Sequence, residues 1–557
     1  MPRLEPDFSD HRHGQIILGA GFVDSSLVED VGLIETIDLP ICGISSLERL
    51  LLRNRLNLPT WLHLKSQDKD FESYLKHKFP ELIGFSYSST ESEEGLRISA
   101  LLSIKAASEF FTSIDVVFAD TWQDLPESAD AVSVKIGMKM DVYTGVKRGK
   151  NGKLEFELNS LDPYVTGYFR FSNPQLFLKL LHDQEDNGAI GFYSAISDYD
   201  AQLDGGIKLE MANNWYDFGH KKSFYESRRH WLLGRSFNRI TASDEANRIT
   251  KSSINDEKLI QEFNWYKMLP PDLRHYAPQV WEIEGKSSYE IEFFPAPSLA
   301  EILVFGNQSL GFWSNTLIEI EKYFSVANKI SFEKINEDEL NNARREMYID
   351  KVLKRVEGLR VSDEFNKFAD FQNPFIRKLS FRERELPKLD EVLDIYVSLV
   401  KSEIMTKNQS AKLIHGDFCF GNMICNNLTL KIFDPRGSFG EIKIAGDLYY
   451  DYAKLAHSIL GEYDFFAFDR FSFSRNKTGY DATPIFKYDS EVALDTLRMS
   501  FSEIMFRQGI DPKSVRIIMA GIFLSLASLH KESVERQMSL LLIGMSEVAS
   551  LAGTDSR

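Results

Sequence analysis

Two neighbouring stretches constrain this chain more than any other. Residues 413–424 read Leu-Ile-His-Gly-Asp-Phe-Cys-Phe-Gly-Asn-Met-Ile, and residues 431–437 read Lys-Ile-Phe-Asp-Pro-Arg-Gly. A His-Gly-Asp turn precedes an Asn, and an apolar strand-like pair then ends in a second Asp. This is the layout that phosphoryl transfer needs: Asp417 to accept the proton of an attacking hydroxyl, Asn422 and Asp434 to hold the magnesium that neutralises the phosphates. Asn426-Asn427 supplies a turn, so residues 423–425 and 430–433 read as paired short strands. The two metal ligands then lie at the ends of adjacent strands.

With 557 residues the chain exceeds what one hydrophobic core supports, and roughly two to four domains are expected. A formal charge of −17 argues against general binding to nucleic acid or to an anionic membrane, so any phosphate site must gather its cations locally. The three cysteines, Cys42, Cys419 and Cys425, have neither disulfide-framework nor metal-ligand spacing, which points to a reducing, cytoplasmic setting. The N-terminus has no apolar signal core. The apolar run 517–529 is short of the ~20 residues that span a bilayer and reads as a buried C-terminal helix.

The first ~235 residues alternate strand-like and helix-like segments, which predicts an α/β domain with a largely parallel sheet. Residues 15–21 form a buried strand running into Gly19-Ala-Gly21, and 45–56 and 95–111 have helical apolar spacing. Residues 114–119 read as a strand ending at Asp120. Segments 131–140 and 154–158 flank a hairpin signal at 148–152, and 164–171 is strand-like again. A boundary is expected near 231–247. Beyond it come a strand at 249–252, a helix at 256–269 and a strand at 289–294; after about Ser309 the pattern is mostly helical outside 417–434.

The His-Gly-Asp-x-x-x-x-Asn motif with its following Asp resembles the aminoglycoside phosphotransferase and choline kinase family, which shares the protein-kinase-like fold. That resemblance implies a bilobal α+β domain over 236–557, with an N-lobe at 236–308 and a C-lobe at 309–557. Lys251 on a short strand and Glu262 on the next helix match the ion pair that steadies the ATP phosphates in this fold. The turn-like segment 236–245 would cover those phosphates. Glu292-Phe-Phe294-Pro-Ala-Pro-Ser298 resembles the hinge beside the adenine, which assigns Glu292 and Phe294 to ATP binding. In this family His415 braces the catalytic loop. Arg436, where relatives have an acidic or aromatic residue, either meets a phosphate or substrate carboxylate or orders the loop through a salt bridge. The run 446–455, Gly-Asp-Leu-Tyr-Tyr-Asp-Tyr-Ala-Lys-Leu, resembles phosphotransferase-like proteins of bacterial surface-polysaccharide clusters, with Asp447 and Asp451 in structural roles.

The N-terminal half resembles the sugar-1-phosphate nucleotidyltransferases, implying a Rossmann-like, GT-A type mixed sheet over residues 1–235. The resemblance rests on Phe-Ala-Asp120, the 165–171 strand and Trp-Tyr-Asp217-Phe-Gly. It makes Asp120 and Asp217 magnesium ligands and Gly19 and Gly21 part of a nucleotide-binding loop, with CTP, UTP or GTP as substrate. No Arg closely follows Gly19-Ala-Gly21, and Asp38-Leu-Pro40 lacks the Lys found after the Pro in relatives. Other cations, such as Arg97 or Lys135, would have to replace them; otherwise the domain is degenerate or binds a different phosphorylated ligand. Taken together, the halves imply a bifunctional enzyme. ATP phosphorylates a hydroxyl of a sugar or amino-alcohol, and nucleotidyl transfer makes an activated donor for capsule or other surface polysaccharide. The alternatives are a kinase with an inactive, nucleotide-sugar-binding or scaffolding N-terminal module, and a non-enzymatic nucleotide-binding organiser.

Overall fold

The apolar run of strand β1 (His13–Leu18), with Ile16 and Ile17 fully buried, sits inside a sheet covered on both faces, where continuous rather than alternating hydrophobicity is required. A computed structural model describes residues 13–53, 58–88, 95–137, 143–150, 152–160, 162–231, 238–242, 247–253, 256–283, 288–426 and 429–553. The chain divides into two compact units, Met1–Trp231 and Leu232–Arg557.

In the first unit, β2 (Thr60–Leu64) and β4 (Ser113–Phe118) flank β1 in parallel, and β3 (Leu82–Tyr87) continues beyond β2. The remaining strands are β5 (Thr121–Gln123), β6 (Ala131–Lys135), β7 (Gly145–Arg148), β8 (Leu154–Glu157), β9 (Tyr164–Phe171), β10 (Lys208–Met211) and β11 (Trp215–Asp217). The main sheet runs β10-β6-β9-β4-β1-β2-β3, with β9 antiparallel to both β4 and β6 and β10 parallel to β6. The sheet is therefore mixed rather than largely parallel. The hairpin at 148–152 joins β7 to β8, not residues 131–140 to 154–158: β6 is instead a sheet strand beside β9, and residues 138–142 lie outside the described ones. One face of the sheet carries an aromatic cluster in which Phe171 and Phe177 stack at 3.8 Å. Such pairs add to area burial through ring geometry.

The second unit begins with an antiparallel sheet ordered β12 (Asn238–Ala242), β13 (Arg248–Ser253), β15 (Ser288–Glu292), β14 (Val280–Glu282). The expected turn at 236–245 is thus a strand at 238–242; residues 236–237 and 243–246 lie outside the described ones. The helix Asp256–Met268 follows β13. The remainder is mostly helical, but it also holds a second four-stranded sheet built from Leu379–Phe381, Arg384–Leu386, Phe471–Arg475 and Gly479–Pro484. Short strands of mixed polarity give little period-2 signal, and the sequence pattern had not disclosed them. Met423–Asn426 and Thr429–Ile432 pair antiparallel; Asn427, assigned to their turn, is outside the described residues. Among the described residues, Pro512–Leu529 is long and apolar enough to cross a membrane by length and composition, longer than the run read from sequence, yet 67% of it is buried inside the fold.

Candidate active site

In the second unit, Lys251 stands opposite Tyr289 across the β13–β15 ladder, and both side chains reach Glu262 on the Asp256–Met268 helix. Lys251 Nζ also lies 2.6 Å from Asp434 Oδ1. Burial opposes its charge, but Asp434 and Glu262 outweigh burial and hold the ammonium above the usual lysine range. Asp434 itself has φ 58°, a left-handed conformation that Asp tolerates better than most residues, and its backbone N–H donates to Tyr266 Oη at 3.0 Å. Pro435 and Arg436 then lead to Gly437. A Cβ there would lie 2.4 Å from the Gln261 carbonyl oxygen, so only glycine lets this loop approach the Glu262 helix so closely.

The His-Gly-Asp turn is tethered from below. Asp451, on the Leu448–Ile459 helix, accepts the backbone N–H groups of His415 and Gly416, each at 2.7 Å. Trp265 Nε1 donates to the Ile414 carbonyl at 2.8 Å, and its ring meets the His415 ring edge-on at 5.2 Å. Burial pushes the His415 imidazole down to about 4, leaving a neutral ring that packs rather than carries charge. Gly416 takes φ 79°, which aims Asp417 outward. Asn422 Nδ2 donates to the Asp417 carbonyl and to Asp417 Oδ2, both at 2.9 Å. Lys454 Nζ sits 2.7 Å from Asp417 Oδ1. Although burial works against it, the adjoining carboxylate keeps the Lys454 ammonium charged.

The two clusters meet at one cavity of about 580 Å³, within the range of small-molecule sites, although Asn422 does not line it. Its walls include Lys251, Glu262, Asp417 and Asp434, and also Lys351, Arg355, Arg436 and Lys454. Sequence reasoning had not singled out Lys351 or Arg355 and had given Lys454 no role. Glu292 and Phe294 do not line this cavity: Glu292 exchanges hydrogen bonds with Gln279, and Phe294 faces Lys431, whose Nζ lies 5.5 Å from the ring centroid. Asn422 and Asp434 offer hard oxygen donors of the kind magnesium takes.

In the first unit, Asp120 follows β4 directly, and the β5–β11 ladder sets Asp217 opposite Thr121. Both carboxylates converge on Gly219, where a Cβ would lie 2.7 Å from Asp120 Oδ2 and 3.4 Å from Asp217 Oδ1. Burial, reinforced by the Asp217 charge, pushes the Asp120 carboxyl up to about 6. Asp217 Oδ2 accepts from Tyr143 at 2.8 Å, His220 at 2.9 Å and Ser223, while Oδ1 accepts the Gly219 N–H at 3.0 Å. The Asp217 hydrogen bond raises the His220 pKa against the effect of burial. Two oxygen donors with anchored outer partners fit a divalent ion that takes its other ligands from substrate phosphate and water. Among the described residues no group of three His, Cys, Asp or Glu is placed to hold a metal alone.

Gly19 follows β1, where a Cβ would strike the Ile37 side chain at 2.3 Å, whereas nothing lies within 4 Å of a Cβ at Gly21. Neither substitute cation faces this loop freely. Arg97 is buried and donates to the carbonyls of Asp186 and Leu181 and to Asn187 Oδ1, and Lys135 donates to the carbonyls of Ala212 and Asn213. Both of these candidate substitutes for the missing Arg and Lys are thus engaged with backbone oxygens.

No family model matches the sequence. No curated protein matches it. Among solved structures, the chain is similar to a UDP-glucose pyrophosphorylase complexed with UDP-glucose, at 12% identity and TM-score 0.30 over 40% of this chain and 98% of that one. It is also similar to a nucleoside-diphosphate-sugar pyrophosphorylase from Vibrio cholerae RC9, at 15% identity and TM-score 0.31 over 38% and 99%. HddC from Yersinia pseudotuberculosis matches at 14% identity and TM-score 0.29 over 40% and 100%.

Proposed function

We propose that the unit Leu232–Arg557 is an ATP-dependent phosphotransferase acting on a hydroxyl of a small molecule. The observation that carries this reading is the convergence of Lys251, Glu262 and Asp434 with Asp417 on one cavity, with the buried Asn422 hydrogen-bonded to Asp417. Lys251, steadied by Glu262, suits the α- and β-phosphates of ATP. Asp417, oriented by Asn422 and Lys454, takes the acceptor's proton as the hydroxyl oxygen bonds to the γ-phosphorus; the bond from that phosphorus to the β,γ-bridging oxygen breaks and ADP leaves. Magnesium, held by Asn422 and Asp434, would supply charge neutralisation on the phosphates. Asp417→Asn should lower kcat by roughly 10²–10⁴-fold, the range for a positioned general base, with ATP affinity unchanged. ADP release from ATP and an acceptor panel gives the rate; near-wild-type turnover in the variant would remove Asp417 from this role.

For the unit Met1–Trp231, the paired Asp120 and Asp217 carboxylates favour a second reaction, nucleotidyl transfer. An oxygen of a phosphorylated substrate bonds to the α-phosphorus of CTP, UTP or GTP, and pyrophosphate leaves. The product would be an NDP-linked donor, and the surface-polysaccharide likeness of residues 446–455 supports that destination. The backbone engagement of Arg97 and Lys135 favours the opposing reading, a kinase with a non-catalytic nucleotide-sugar-binding module. Pyrophosphate release decides between them: its loss in Asp120→Asn supports transfer, and its absence from the wild-type protein with all three nucleotides supports the module.

A further inference from the structure

Lys351 and Arg355 lie four residues apart on the Lys351–Arg360 helix, so they share one face, and that face lines the cavity around Asp417. The turn before them, Glu346–Asp350, is a π-turn, a local widening that recurs at functional sites. Like charges at this spacing repel. Here no carboxylate offsets it: the polar contacts of the two side chains are to neutral groups, Met347 Sδ at 3.9 Å from Lys351 and Ser525 Oγ at 3.4 Å from Arg355. Among the described residues neither makes an ion pair with a carboxylate, and neither does Arg436.

The Arg436 backbone N–H donates to the His415 carbonyl at 2.9 Å, so the backbone orders this loop and the guanidinium is left to the cavity. Burial disfavours the Lys351 ammonium, and the positive charges of Arg436, Arg355 and Lys454 add to that effect against the opposing charge of Asp417. The chain as a whole carries a formal −17, yet Lys351, Arg355 and Arg436 gather on this wall with no carboxylate in ion-pair contact among the described residues. An uncompensated cation group beside a candidate general base is costly to the fold unless an anion completes it.

We propose that the acceptor alcohol carries an oxyanion, a phosphate monoester or a carboxylate, which Lys351, Arg355 and Arg436 hold while its hydroxyl reaches Asp417. This inference rests on the kinase reading. Planar guanidinium forks match either oxyanion bidentately, and the flexible ammonium adds a point charge.

The test offers the full-length protein three classes of hydroxyl compound. The neutral class is glycerol and N-acetylglucosamine, the cationic class choline and kanamycin, and the anionic class glycerol 3-phosphate, glucose 6-phosphate and glycerate. Anionic acceptors should show the lowest KM, and the phosphate and glycerate arms separate the two oxyanions. Lys351→Met and Arg355→Gln should each raise that KM by roughly tenfold or more, the loss of a charge-assisted hydrogen bond, with a smaller effect on kcat. Lys351→Arg should restore most of the affinity, and thermal melting checks that each variant is folded. A preference for neutral or cationic acceptors, with KM indifferent to both substitutions, would overturn the proposal. Calorimetry with inorganic phosphate, in the presence of a saturating non-hydrolysable ATP analogue, separates the two readings. Phosphate binding that depends on Lys351 and Arg355 supports the anion site even if no ADP forms with any acceptor, in which case the kinase reading alone fails. Binding that the ATP analogue abolishes assigns the cations to the donor and overturns the proposal.

Discussion

Lys351 illustrates how far a single residue departs from its free behaviour. Burial first, then Arg436, Arg355 and Lys454, push its ammonium from 10.5 down to about 6. Near neutral pH the folded chain therefore holds fewer protons here than the unfolded chain, and this residue's contribution to stability rises with pH from about 6 upward until the free lysine value is passed. An oxyanion in the cavity reverses the preference by favouring the charged amine. Acceptor binding between about pH 7 and 8 should take up close to one proton. The checking measurement is the dependence of binding heat on buffer ionisation enthalpy, which should vanish in Lys351→Met; a buffer-independent heat in the wild type would contradict the assignment. Sequence spacing placed Asp417, Asn422 and Asp434 near one another because they are separated by a turn and one hairpin. It could not place Lys351, which reaches the same cavity from a helix far upstream. The available hint was weak: two cations at i,i+4 with Val352 and Val356 between and beside them, on a side that turns inward.

At the scale of elements, the His-Gly-Asp turn depends on a helix, Glu337–Arg345, that does not line the cavity. Asp447 caps the Leu448–Ile459 helix by accepting the Tyr449 N–H at 3.1 Å, and it pairs with Arg344 Nε at 2.8 Å, both partners almost fully buried. Through this pair the Glu337–Arg345 helix steadies the element from which Asp451 holds His415 and Gly416. Arg344→Met removes one partner and leaves a buried carboxylate uncompensated, so a loss of about 3–5 kcal/mol is expected in urea unfolding of the full chain. A loss below about 1 kcal/mol would show that the pair is solvated and of little weight. The β13 strand, its following helix and the 423–432 hairpin were legible because each couples a clear period to a nearby turn or cap. The 379–386 and 471–484 strands were not. Their pairing is partly between segments about a hundred residues apart, with Ser380 beside Gly479, and no local pattern records such a partner.

The whole chain joins two cores, each with its own sheet and its own carboxylate site. If both sites are active as proposed, their chemistry should be separable. Asp120→Asn should remove pyrophosphate release while leaving ADP formation, and Asp417→Asn should do the reverse when the phosphorylated substrate is supplied alongside the unphosphorylated one. Loss of both products in either variant would mean that one reaction feeds the other obligatorily or that the assignment of two sites is wrong.

The unpaired cation wall has a further consequence when set against the acidic remainder of the molecule. Surface charge acts over a Debye length of about 8 Å at physiological salt, so a long polyanion, most of which must stay outside the cavity, is repelled by a chain of formal charge −17. A small oxyanion that diffuses inside the mouth is shielded from that exterior and meets Lys351, Arg355 and Arg436 at close range. If the wall holds an oxyanion as proposed, the molecule is expected to sort anions by size as well as by charge, favouring a small phosphate-bearing metabolite over a polyanion.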